Sequence, residues 1–202
     1  MPPGFYQIRL QVDGSTHEAS FEVKGDPAVG ASDEDLRAQY AFLVSVRDRL
    51  SETHRVIRQI RTLRQDLNDW RSRLTRQGVA AEVTTPLFAD MERLKEGLDE
   101  IENRLVQTKA KSPKDLLNYP LRLNVKLASL LNRVGVAEAR PTEQDRTLFE
   151  VLSSACETEF VRLRDLIKDE VEPLSQKLAR IEVSPLTMEP VSPALSESPT
   201  GP

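Results

Sequence analysis

The stretch SDEDLRAQYAFLVSVRDRLSETHRVIRQIRTLRQDLNDWRSRL, residues 32–74, decides the fold. Ser32 with Asp35 three positions on has the spacing of a capping box, in which the hydroxyl accepts a backbone N–H and the acid reaches back. A helix starts there. Leu36, Tyr40, Leu43, Val46, Leu50, Ile57, Ile60, Leu63, Leu67, Trp70 and Leu74 then step mostly by three and four, which draws a stripe down one side. Gly78 supplies the stop. A helix of roughly 45 residues at 1.5 Å rise is on the order of 65 Å long. Such a rod needs a partner along its length.

The partner follows in the chain. Thr85-Pro86 reads as a cap with proline at the first helical position, and Phe88, Met91, Leu94, Leu98, Ile101 and Leu105 repeat the stripe. The two make an antiparallel helical hairpin. Residues 44–77 hold nine Arg against four Asp or Glu, and residues 86–106 hold six Asp or Glu against three Lys or Arg, so opposed flanks face each other. Residues 107–134 are less regular. Ser112-Pro113 and Tyr119-Pro120 break them before Leu121, Leu123, Leu127, Leu130, Leu131 and Val134 resume a helical pattern that Gly135 caps. Pro141-Thr142 with Asp145 opens a last helix, whose stripe is Phe149, Leu152, Cys156, Phe160, Leu163, Ile167, Val171, Leu174, Leu178 and Ile181. Pro173 lies inside it and should kink it or end its regular part. From Ser184 the chain is rich in Pro, Ser and Thr without periodicity, the composition of a disordered tail.

Ahead of the long helix the period changes to two. Tyr6, Ile8, Leu10 and Val12 alternate with Gln7, Arg9 and Gln11; Asp13-Gly14 is a type I′ turn signal; and Ala19, Phe21 and Val23 alternate along the return strand, Thr16 to Lys24. Gly25-Asp26-Pro27 ends it. A two-stranded ribbon cannot bury its own apolar face. The fold class is therefore mainly α: an elongated, coiled-coil-like antiparallel bundle over residues 32–182, preceded by a β-hairpin over residues 1–27 and followed by a disordered tail, residues 183–202. The expected bundle packs residues 36–74 against 88–105 and 149–181.

Composition and motifs exclude several functions. With 39% hydrophobic, 30% charged and 5% aromatic residues, the chain suits a thin helical core better than an enzyme with a deep pocket. A net charge of -4 names no partner class. One cysteine, Cys156, cannot form an internal disulfide, and on the apolar face of the last helix it reads as a buried, inert thiol. His17 and His54, the two histidines, lack metal-ligand spacing; His54 reads as the one polar residue that the seam tolerates between Leu50 and Ile57. Arg55, Arg58, Arg61 and Arg64 recur every three residues, so they drift around the helix, and no aromatics interleave for base stacking. No nucleic-acid partner is expected. Asp99-Glu100 and Asp169-Glu170 are neighbours that point apart on a helix and make poor acid–base pairs. No phosphate loop, serine elbow or zinc spacing occurs, no stretch has the length of a membrane span, and no signal-peptide pattern opens the chain. Catalytic, cofactor and metal residues are all expected to be none. The irregular segment Gln107–Asn124 reads as a connector, with a docking surface as its alternative.

Certain residues also carry a resemblance. Pro3 to Gly14, Phe21 to Pro27, Val106 to Ser112, Leu117 to Asn124 and Arg140-Pro141-Thr142 resemble the C-terminal region of large bacterial BNR-repeat, sortilin-like β-propeller proteins, often labelled glycosyl hydrolases. The resemblance spans residues 3 to about 181 and does not include the propeller. It implies that the hairpin is a remnant of a sandwich-like domain, that the helices are a terminal appendage, that the chain is a truncated or split product, and that its parent is exported. It carries over no catalytic residue. The function expected is a non-catalytic interaction or assembly module, the accessory part of a larger propeller protein. The alternative is the accessory fragment of a glycan- or peptide-acting hydrolase. In either case the surface expected to meet a protein partner or a second copy is Tyr6, Ile8, Leu10, Val12, Phe21 and Val23.

Overall fold

The capping box at Ser32 forms as its spacing requires: Ser32 Oγ accepts from Asp35 N–H while the Asp35 side chain accepts from Ser32 N–H. From it runs α1, Asp33–Arg76, unbroken for 44 residues. The computed structural model describes residues 2–110, 112, 115 and 118–181. Residue 182 and the tail expected over 183–202 lie outside the described residues. The strands are β1, Gly4–Val12, and β2, Ser15–Val23; the remaining helices are α2, Ala81–Leu105, α3, Leu123–Val136, α4, Glu143–Leu166, and α5, Glu172–Ala179. The fold is mainly α, an elongated bundle preceded by the hairpin.

Three rods lie side by side. α1 is the first. α2 and α3 form the second, laid end to end along α1 and both antiparallel to it. Arg61 and Arg64 of α1 reach Glu102, and Arg71 reaches Glu92, which places α2 on the C-terminal half. Gln39 and Leu43 meet Val134 and Gly135, which places α3 on the N-terminal half. The third rod, α4 continuing into α5, runs parallel to α1: Phe42 stacks edge-on against Phe149 at 5.5 Å, and Thr53 lies against Cys156. The opposed charges of α1 and α2 do meet. What periodicity left out of the bundle is α3, whose Leu127, Leu130 and Val134 are buried in the common core. Without it the N-terminal half of α1 would lack cover on one side.

α1 ends in a Schellman turn. Gly78 takes φ 63°, its N–H donates to Thr75 O, and Val79 N–H reaches back to Leu74 O. That tight exit explains a difference at α2, which begins at Ala81 and not at Thr85, so Pro86 sits more than a turn inside the helix. One hydrogen bond near a helix start is lost, and burial of Thr84 and Leu87 offsets it. Gly135 likewise is not a cap. α3 continues to Val136, its last carbonyls satisfied from another helix: Gln39 Nε2 donates to Val134 O at 2.7 Å and also to Ala137 O. A Cβ at Gly135 would lie 4.0 Å from Leu43, an ordinary contact, so the helix runs through this glycine without needing it.

Two positions of the α1 stripe also change. Tyr40 is 47% exposed and Phe42 is in the core; His54 is exposed, and the polar seam residue is Thr53, with no exposed surface. Thr53 Oγ1 donates to Arg49 O at 2.9 Å, which makes a hydroxyl tolerable there. Pro173 acts as expected in ending the regular α turns, at Leu166. The chain then widens into a π-helical turn, Ile167–Val171, closed by Glu172 N–H to Ile167 O, and resumes as α5. In an α turn the proline ring would clash with the carbonyl four residues back, and the wider turn lies where that carbonyl belongs.

Gly97 packs tightly against the last turn of α4, since a Cβ there would lie 3.2 Å from both Leu166 Cδ atoms. Gly97→Val is expected to destabilise by about 2 kcal/mol through crowding. Gly97→Ala stays within about 1 kcal/mol of wild type, because better helix propensity opposes the smaller clash. Urea denaturation of the two variants checks both.

Candidate interaction surface

The hairpin turn is two residues, Asp13 at φ 48° and Gly14 at φ 78°, which sets the register Val12–Ser15, Leu10–His17, Ile8–Ala19, Tyr6–Phe21 and Gly4–Val23. Side chains of a directly opposed pair lie on one face. The six residues expected at an interface, Tyr6, Ile8, Leu10, Val12, Phe21 and Val23, therefore share a face, together with Ala19 and with His17, which the sequence reading left out. Tyr6 stacks on Phe21 at 5.9 Å, and its hydroxyl donates to Pro2 O at 2.6 Å. The other face carries Gln7, Arg9, Gln11, Thr16, Glu18 and Ser20, with Arg9 Nε donating to Glu18 across the strands at 2.6 Å. Phe5 is the exception on that face, 83% exposed.

The apolar face is half-buried at its root and exposed beyond it. Val23, with Pro2 and Pro3, borders a cleft of about 320 Å³ against Leu36, Tyr40 and Leu43 of α1, so the ribbon is anchored at its root. Beyond that the helices do not cover it: Ile8 is 57%, Leu10 58%, Val12 49% and Phe21 41% exposed. These are large apolar side chains in a contiguous row, and among the described residues no further strand pairs with either edge of the ribbon.

Elsewhere the reactive residue types serve the fold. Cys156 is fully buried and burial pushes its thiol up, against the weaker opposing effect of the Thr53 hydroxyl. Of the four arginines at spacing three, Arg61 and Arg64 hold Glu102, while Arg55 and Arg58 face solvent. Burial raises the Glu102 carboxyl, and the two guanidiniums more than offset it, so it stays below the usual glutamate range. Periodicity could not find this buried acid, since Glu102 stands beside Ile101 in the same stripe. Asp99 and Glu100 point to different helices, to Arg64 and Arg162. Glu170 reaches Arg93, and Asp169 is exposed. Among the described residues no group of three or more His, Cys, Asp or Glu could hold a metal ion, and no helix is long and apolar enough to cross a membrane. Of the irregular connector, Gln107 Nε2 donates to Pro120 O, while residues 111, 113, 114, 116 and 117 lie outside the described residues. A second concavity, about 370 Å³, lies between α1 and the π-helical turn beside Trp70, Val171 and Leu174, with Asp66, Asp69 and Arg73 on its rim.

No family model, no curated protein and no solved structure matches this chain.

The end of the bundle beside the hairpin depends on carboxylates. A second capping box, Thr142 with Asp145, opens α4 next to the Ser32 box, and Arg140 bridges the turn between α3 and α4 to Glu34 and Asp35. The Ser32 hydroxyl, then Arg140, hold the Asp35 carboxyl down to about 2 from its ordinary 3.8, and the Thr142 hydroxyl lowers Asp145. A carboxyl depressed in the folded state stabilises fully above its unfolded pKa, and that stability is lost as pH falls through the folded value. Stability is therefore expected to fall between about pH 4 and pH 2, and Asp35→Asn is expected to flatten part of that slope. Thermal melts followed by circular dichroism across this range check it.

Proposed function

We propose that this chain is a non-catalytic interaction or assembly module, in which a rigid helical rod presents a β-hairpin as its docking element. One observation carries the reading: Ile8, Leu10, Val12 and Phe21 form an exposed apolar row on a ribbon that is tied to the rod only at its root. An isolated hairpin is marginal in water, and leaving four such side chains about half exposed forgoes roughly 1 kcal/mol each relative to full burial. A surface of this kind is stable when another surface covers it. The buried reactive groups agree with a role without catalysis, because each is held by a neighbour whose contact maintains the bundle.

The resemblance of residues 3–14 and 106–124 to the tail of BNR-repeat, sortilin-like proteins supports a narrower form, in which the module is the C-terminal accessory part of a larger β-propeller protein. A neighbouring reading frame encoding propeller repeats would support that form, and an unrelated neighbour would overturn it.

The broader reading is tested on the full chain by light scattering coupled to size exclusion, comparing wild type with the double variant Ile8→Asp, Phe21→Asp. The wild type is expected to associate and the variant to run as a monomer of unchanged helicity. A monomeric wild type, or a variant with the wild-type mass, would overturn it.

A further inference from the structure

Resting on that reading, we infer that the occupant of the hairpin is a second copy of this chain, paired strand to strand along the outer edge of β1 to make a four-stranded antiparallel sheet in the order β2–β1–β1–β2. The argument starts from which backbone groups are free. In a two-residue hairpin loop the pair that closes the turn exchanges both of its hydrogen bonds, and the pairs then alternate. Val12–Ser15, Leu10–His17, Ile8–Ala19, Tyr6–Phe21 and Gly4–Val23 are the bonded pairs. The N–H and C=O groups that point outward from β1 hence belong to Phe5, Gln7, Arg9 and Gln11, and those pointing outward from β2 to Thr16, Glu18, Ser20 and Glu22. Edge pairing and apolar burial thus use different residues of the same strand.

β1 is complementary to itself. Antiparallel pairing centred on Ile8 sets Ile8 against Ile8, Tyr6 against Leu10, and Gly4 against Val12 of the second copy, so all nine residues of the strand, Gly4–Val12, find a partner. Arg9 then faces Gln7 of the second copy. Shifting the register by two residues either leaves strand ends unpaired with Arg9 facing Arg9, a like-charge pair, or sets Arg9 against Phe5. The same exercise on β2 sets Phe21 against His17 and Val23 against Ser15, which matches apolar side chains to polar ones. β1 is the better edge. Its pairing provides about eight backbone hydrogen bonds between copies and brings the ribbon to the strand number at which a sheet with one apolar face is stable.

A nine-residue, two-stranded ribbon is about 30 Å by 10 Å, so two ribbons packed only face to face cover about 600 Å² in total, half of the roughly 1,200 Å² that marks a stable interface; a four-stranded sheet doubles the apolar face, and two such sheets face to face reach it. Antiparallel edge pairing also sets the two bundles at opposite ends of the sheet, about 30 Å apart, clear of each other.

Two measurements test this on the full chain. In the first, sedimentation equilibrium compares Gln7→Pro, which removes an outward N–H of β1 and no hydrogen bond within the hairpin, with Ser20→Pro, which does the same on β2. Gln7→Pro is expected to weaken association by about 100-fold, and Ser20→Pro by less than about threefold. Because proline can also loosen the hairpin itself, the second measurement uses wild type. Amide exchange followed by NMR at low and high protein concentration is expected to show protection of Phe5, Gln7, Arg9 and Gln11 rising with concentration, while Thr16, Glu18, Ser20 and Glu22 stay as they were. A dimer with that pattern supports the inference, as does a tetramer, in which two such sheets pack face to face. Association that is lost on Ile8→Asp, Phe21→Asp but leaves the β1 amides unprotected overturns edge pairing and leaves the docking function standing. A wild type that stays monomeric overturns both.

Discussion

The whole structure depends on covering α1. A 44-residue helix is about 66 Å long and cannot rely on propensity for its stability. It needs apolar contact along all of its inner face. One side is covered by a single continuous rod, α4 through the π-helical turn to α5, and the other by two shorter helices laid end to end. The break between those two falls near mid-length, after Leu105, which is where the irregular connector leaves the bundle. Everything specific about the packing follows from joining unequal rods: the Schellman turn that sends α2 back at once, Gln39 capping the end of α3, and the paired carboxylates that start α1 and α4 side by side.

Charge then fixes the register of the rods. Arg61 and Arg64 on Glu102, Arg93 on Glu170, and Lys177 on Asp90 tie all three at successive levels. Most of these pairs are exposed on at least one side, where an ion pair contributes little to stability. Their effect is on alignment, since sliding one rod by a turn would part each pair and bring like charges together. Glu102 is the exception, buried and held by two guanidiniums, and removing either arginine would leave its carboxylate less well satisfied.

Features decided by short spacing were legible in the sequence. Both capping boxes, the Asp-Gly turn and its face assignment, the Gly78 stop and nearly all of the last helix's stripe depend on residues within four positions of each other. Features decided by a neighbour were not. A helical stripe locates a face to within about one residue, so His54 and Thr53 are equal candidates until Cys156 is known to lie opposite. Pro86 looks like a helix start until the tight loop before it demands one earlier. Gly135 looks like a stop until Gln39 of α1 takes the carbonyls of Val134 and Ala137 and α3 runs on to Val136. The same limit applies to the interaction surface: alternation picked out the apolar side chains of the hairpin, but the free edge groups of Gln7 and Arg9 emerge only once the turn fixes which pairs are bonded.

The division of α1 between two sets of partners also orders the events of synthesis. α2 meets α1 across a loop of four residues, 77–80, whereas Thr53 waits for Cys156, 103 positions later, and Arg140 closes on Asp35 from 105 positions away. Local closure is fast and distant closure is slow. A chain emerging at 5–20 residues per second therefore leaves Phe42 and Val46 bare for on the order of ten seconds, next to a hairpin whose apolar face is already out. During that interval the nascent rod is half zipped, and its first half is the part that a chaperone would need to shield.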